Sequence, residues 1–302
     1  MSAASLRALL AHAIDYAGLF PPAELALEPA LQNHAAYLRT ADRWLLGAFI
    51  LPVANFGEAR AHLAAFDKEH PLEVSALGPK TTKPAEFRSA LETMAEAIKE
   101  FQNGHKGVVS IRQIEMPLPP GPVAKSLGVA RATLGDLPLS VFWEAPAEGA
   151  AKAIAALSGS GAGFKLRTGG VTAEAFPDRA QIARTLVTAA RHRVPIKFTA
   201  GLHHPVRLFY ESVGTKMHGF LNVLGAGVLA AEHRWSEAQT QEMLAEEEGS
   251  AFVFDEEMMS WRDWKISTAQ ITARRQLVTS LGSCSFEEPR EDLRALGLLE
   301  NP

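Results

Sequence analysis

Short apolar runs alternate with longer amphipathic stretches along most of the chain. Residues 44–51 (WLLGAFIL) read as a buried strand closed by Pro52, and FGEARAHLAAFDKE then places Phe56, Ala59, Leu63 and Phe66 at helical spacing. The strand-like run 72–78 (LEVSALG) precedes the helical PAEFRSALETMAEAIKEF. Runs at 108–116 (VVSIRQIEM), 139–144 (LSVFWE), 163–168 (GFKLRT), 196–202 (IKFTAGL) and 219–224 (GFLNVL) bring the expected strands to seven. The segment around Ala17 to Phe20 is the candidate eighth, followed by a helix near LEPALQNHAAYLRTADR.

Strands separated by helices at intervals of roughly 25–35 residues imply right-handed crossovers and a parallel sheet. Eight such units fit a closed (β/α)8 TIM barrel, whose typical size is about 250 residues. The alternative is an open doubly wound sheet. A dinucleotide-binding version of that sheet would need G-x-G-x-x-G between an early strand and its helix. GSGAGF, at 159–164, instead leads into a strand. The barrel is expected to span about residues 12–248. Residues 249–302, with two tryptophans and a helical stretch, read as a C-terminal extension packed on it, or else as a dimerisation arm. No linker marks a second domain, so a single domain is expected.

Composition narrows the class. The chain of 302 residues is 47% hydrophobic and 21% charged, with a formal charge of −4. That balance offers no basic footprint for nucleic acid. One cysteine, Cys284, cannot form an internal disulfide. The first twenty residues lack the apolar stretch and cleavage site of a secretory signal, and no apolar run is long enough for a bilayer. A soluble, cytoplasmic enzyme with a small-molecule substrate is expected, without nucleic-acid or membrane partners. Self-association remains open.

In a barrel, chemistry gathers at the carboxyl ends of the strands. The informative residues are therefore polar side chains that interrupt apolar strands. Lys165 and Arg167 do so in GFKLRTGG and, two apart, share a face; Lys197 does so in IKFTAGL, with Thr199 on its side. Glu144 ends LSVFWE, Glu115 lies in VVSIRQIEM, and Asn222 interrupts GFLNVL. A lysine inside a barrel must be paired or neutral. Two on consecutive strands would favour one neutral amine, the form that attacks a carbonyl to give a Schiff base. Alternatively, each forms a structural salt bridge with Glu115 or Glu144.

GFKLRTGG resembles the K-x-x-T-G segment of Schiff-base aldolases of the deoxyribose-phosphate aldolase type, and IKFTAGLHH is similar to the K-x-x-x-G segment on their next strand. The lysines are 32 residues apart, and the likeness covers about residues 107–229. It implies that Lys165 forms the imine and Lys197 tunes it, with Thr168, Gly169 and Gly201 in the substrate loops. No cofactor or metal is implied. The chain departs from the family in three ways: Arg167 stands where the family has a small hydroxyl residue, His203 and His204 replace the usual phosphate-cradle continuation, and Glu115 or Glu144 takes the place of an aspartate. These imply changed substrate or changed chemistry. Arg167, His203, His204 and Asn222 join the expected substrate contacts. The competing expectations are a cofactor-independent or metal-assisted isomerase or hydrolase, and a catalytically silent barrel. Asp15 is expected to cap a helix or pack, or else to reach the barrel mouth.

Overall fold

The computed structural model describes residues 2–119, 121–135 and 137–300. Its centre is a closed barrel of eight parallel strands: β1 (Ile14–Tyr16), β2 (Leu46–Pro52), β3 (Leu72–Leu77), β4 (Val109–Pro117), β5 (Ser140–Glu144), β6 (Gly163–Arg167), β7 (Ile196–Thr199) and, after five further strands, β13 (Val278–Ser283). Each strand pairs with its neighbour in sequence, and β13 joins β7 to β1. The architecture is the (β/α)8 barrel expected from the alternation of runs.

Strands buried on both faces read as continuous apolar runs. Phe164 and Leu166 of β6 turn outward under the helices, while Lys165 points into the barrel. The helix Pro84–Gly104 starts with proline at its first turn, where a missing N–H costs nothing, and buries Phe87, Leu91, Met94, Ile98 and Phe101 on one stripe. The helix Arg179–His192 opens with a capping box between Asp178 and Gln181.

The structure departs from the sequence expectation at three places. The first strand is Ile14–Tyr16, not 17–20, so Asp15 lies within it. GFLNVL is the start of a helix, Phe220–His233, buried from Phe220 through Ala230. A helix covered on all sides loses the polar stripe that would distinguish it from a buried strand. The eighth barrel strand is instead VTSLGS, inside the segment read as an extension. That C-terminal segment also carries the three-stranded sheet β10 (Phe252–Phe254), β11 (Met258–Trp261) and β12 (Trp264–Ser267), and ends in the helix Glu287–Ala295. A hairpin, β8 (Leu208–Tyr210) and β9 (Thr215–Met217), follows β7. The Arg275 guanidinium donates to the carbonyls of Ala11 (3.0 Å), Val278 and Thr279, tying β13 to the approach of β1.

No helix among the described residues is long and apolar enough to cross a membrane.

Candidate active site

Register places the charges. Glu144, Lys165 and Lys197 are Cα partners in one row across β5, β6 and β7. Glu115 stands on β4 two residues before Pro117, the partner of Glu144. All four point into the barrel, and their side chains meet.

Glu115 is the hub. Its Oε1 accepts from Lys197 Nζ and from Ser75 Oγ (2.5 Å), while its Oε2 lies 2.9 Å from Lys165 Nζ. Burial alone would raise this carboxyl, but Lys197 and then Lys165 outweigh it and carry it down to about 2. Lys197 is fully buried and donates to Asp15 Oδ2 (2.8 Å) as well as to Glu115, with its Nζ 5.5 Å from the Phe142 ring centre. Burial disfavours its charge, yet Asp15 and Glu115 reverse that and shift it upward. Lys197 is a permanent ammonium.

Lys165 is held differently. Its Nζ is 2.8 Å from Glu144 Oε2 and 2.9 Å from Glu115 Oε2, both within ion-pair range. The contact with Glu115 lacks the alignment of a hydrogen bond, which leaves Oε2 of Glu115 without a directed donor. Lys165 also lines a cavity of about 420 Å³ at the carboxyl ends of the strands, together with Glu115, Glu144, Arg167, Thr199 and His203. Lys197 is not among its walls. Lys197 is sealed and aligned, whereas Lys165, also buried at 4% exposure, reaches the cavity wall.

The expected catalytic residues Lys165, Lys197, Glu115 and Glu144 are thus brought together, as ion pairs. Among the expected substrate contacts, Arg167 and His203 line the cavity, with Arg167 Nε 3.8 Å from Glu144 Oε1. Thr168 does not; its hydroxyl donates to the carbonyls of Ala200 (2.6 Å) and Thr199 (3.2 Å), clamping β6 to β7. Gly169 and Gly201 let those strand ends touch, since a Cβ on either would lie 2.7–2.8 Å from the other's Cα. Gly201 also has φ +73°, a left-handed conformation that costs glycine nothing.

His204 is buried beside the cavity, its Nδ1 2.6 Å from Asp292 Oδ2. Asn222 is remote. Its Oδ1 accepts from Arg207 N (3.0 Å), and its Nδ2 donates to the carbonyls of Met243 (2.8 Å) and Glu246 (2.9 Å). That set of bonds belongs to helix packing.

Asp15, expected to cap a helix or pack, or else to reach the barrel mouth, lies on β1. In the barrel it is 2% exposed and accepts from Lys197, from Ser280 Oγ (2.8 Å) and, through Oδ1, from Ala48 N (2.7 Å). The signal for the barrel-mouth alternative is an acid in an otherwise apolar run, AIDYAG. Cys284 also lines the cavity, its Sγ 3.9 Å from His203 Nδ1. Among the described residues, no three His, Cys, Asp or Glu side chains converge as a metal-binding group. The sequence matches no protein-family model and no curated protein.

Proposed function

We propose that the protein is an aldolase-like lyase that makes or breaks a carbon–carbon bond through a Schiff base on Lys165. The observation that carries this reading is the asymmetry of the lysine pair: Lys165 alone opens on the cavity, beside a carboxylate that can take its proton. Glu144 is 24% exposed at its side chain and contacts Lys165 at 2.8 Å. Transfer of one proton to Glu144 frees the amine lone pair for attack on a carbonyl carbon. The carbinolamine takes a proton, loses water and becomes an iminium. A base, Glu144 or a water, then removes the proton of the β-hydroxyl, and the Cα–Cβ electrons move to the iminium nitrogen. An aldehyde departs, an enamine remains, and protonation and hydrolysis return the second carbonyl and the amine.

Lys197 supplies a fixed positive charge on the far side of Glu115 from Lys165. Arg167 and Lys80, both on the cavity wall, offer cations to an anionic or hydroxylated part of the substrate. Borohydride with a panel of short aldehydes and ketones is expected to leave a reduced adduct on Lys165, found by peptide mass, and none on Lys165→Arg. No adduct with any carbonyl compound overturns the reading.

The ion pairs of Lys165 favour a second reading, a barrel isomerase or hydrolase without a covalent step, in which the charges only fix a polar substrate. It requires the absence of any adduct. Metal content of protein purified without chelators separates its metal-assisted form.

A further inference from the structure

A second cavity, of about 430 Å³, adjoins the first and shares Gly170, Val171, His203 and Cys284 with it as walls. Its far side is built by the β8–β9 hairpin, through Tyr210, Val213 and Met217, with Pro22 and Ala23 from the loop after β1. Apart from Ser212, Ser285 and Glu288, the added surface is apolar or aromatic.

Barrels commonly hold a phosphate in the loops after the last two strands, at the N-terminus of a short helix. Here that position is the helix Glu287–Ala295, and its first turn carries Glu287 and Glu288. The Glu288 N–H already donates to Ser285 Oγ (3.1 Å). The cation facing the junction is matched: His203 Nδ1 lies 3.0 Å from Glu288 Oε2. Burial would lower His203, but its hydrogen bonds with Cys284 and Glu288 raise it to about 9, so the pair is imidazolium and carboxylate at neutral pH. His204, beneath it, is matched by Asp292 and Glu288. An arriving phosphate meets carboxylates and a neutralised histidine.

From this geometry we infer that the substrate carries an uncharged, largely apolar tail, which leaves the Lys165 cavity past His203 and Cys284 and lies under the β8–β9 hairpin. This rests on Lys165 as the reactive amine, and it narrows the substrate class: a carbonyl compound polar at one end, near Arg167, and apolar at the other. The wall formed by Val213 is a specificity element, because a tail too short to reach it forgoes the apolar contact.

The test is a series of straight aldehydes from propanal to octanal, trapped by borohydride, with the half-saturating concentration read for each. Complete burial of a methylene is worth about 0.8 kcal/mol, so the concentration is expected to fall roughly two- to fourfold per added carbon until the cavity is filled. Val213→Asp is expected to flatten the series relative to its own propanal value. A flat series in the unaltered protein overturns the apolar tail and leaves the imine standing. If no aldehyde is trapped, the imine fails, and calorimetry with propanol, hexanol and octanol decides the tail alone. Affinity rising with length supports it, and no gain with length overturns it.

Discussion

Lys165 and Lys197 occupy partnered positions on adjacent strands and reach opposite oxygens of one carboxylate, that of Glu115. Two cations on one anion would leave a buried excess of positive charge. Asp15 and Glu144 correct it, one at each outer flank. The row Asp15–Lys197–Glu115–Lys165–Glu144 alternates in sign; Glu115, Lys165 and Glu144 line the cavity, and Asp15 and Lys197 do not.

Removing the central anion should therefore cost stability. Glu115→Gln keeps the shape but leaves two buried ammoniums with less compensation. Breaking a buried pair costs about 3–5 kcal/mol, and urea denaturation is expected to show a loss of that order. Glu115 also gives the protein an acid limit. Its folded value of about 2 lies below the ordinary 4.5, so its stabilisation is complete above pH 4.5 and is lost as pH falls towards 2. The variant should lack that part of the acid transition.

Glu144→Gln tests the proton acceptor. General-base contributions run to about 10²–10⁴-fold, and the rate of adduct formation on Lys165 should fall within that range. Hydroxide can replace the missing carboxylate, so the rate should recover as pH rises. Unchanged trapping at neutral pH would assign the proton to another group.

Asn222→Ala separates packing from chemistry. The substitution leaves the Arg207 N–H and the carbonyls of Met243 and Glu246 without this partner. Unmet buried groups cost about 1–3 kcal/mol each, so a clear drop in melting temperature is expected. Aldehyde trapping per folded molecule should be unchanged, because Asn222 is not part of the cavity wall.

His34 supplies a separate pH signature. It is fully buried among Tyr16, Phe49 and Phe66, with neither ring nitrogen hydrogen-bonded, and burial holds it down to about 3. The unfolded chain takes up this proton near pH 6.5 and the folded chain does not. Stability attributable to His34 therefore falls as pH drops from about 6.5 towards 3, by up to about 1.4 kcal/mol per unit. Wild type minus His34→Leu, followed by denaturant titration at several pH values, should show that slope.

The barrel was legible because parallel strands buried on both faces leave short apolar runs, and six of the eight stood out in this way. The other two failed for physical reasons. Ile14–Tyr16 spans only three residues, too short for a pattern, and VTSLGS carries two serines and a threonine that point to neighbours rather than to solvent. GFLNVL took the vacant place because a helix buried all round looks apolar without period. At the site, Lys165, Lys197, Glu115 and Glu144 were legible as charges inside apolar runs. Asp15 and Ser280 were not, because each depends on a strand that had been misplaced. Nothing in the local sequence could tell that Thr168 holds two strands together rather than touching substrate. That follows only from where β7 ends.

The closure of β13 on β1 has a consequence for synthesis. Asp15 and Ser280 are 265 residues apart in sequence yet share a hydrogen bond. As the chain emerges from the ribosome, β1 to β7 can assemble in order, but both outer edges stay unpaired until residue 278 is available. Such edges are templates for pairing with another chain. A product interrupted before that point would aggregate through β1 and β7, and its Asp15 would lack the serine that helps to aim it at Lys197. The last strand thus finishes the scaffold and the charged row in a single event.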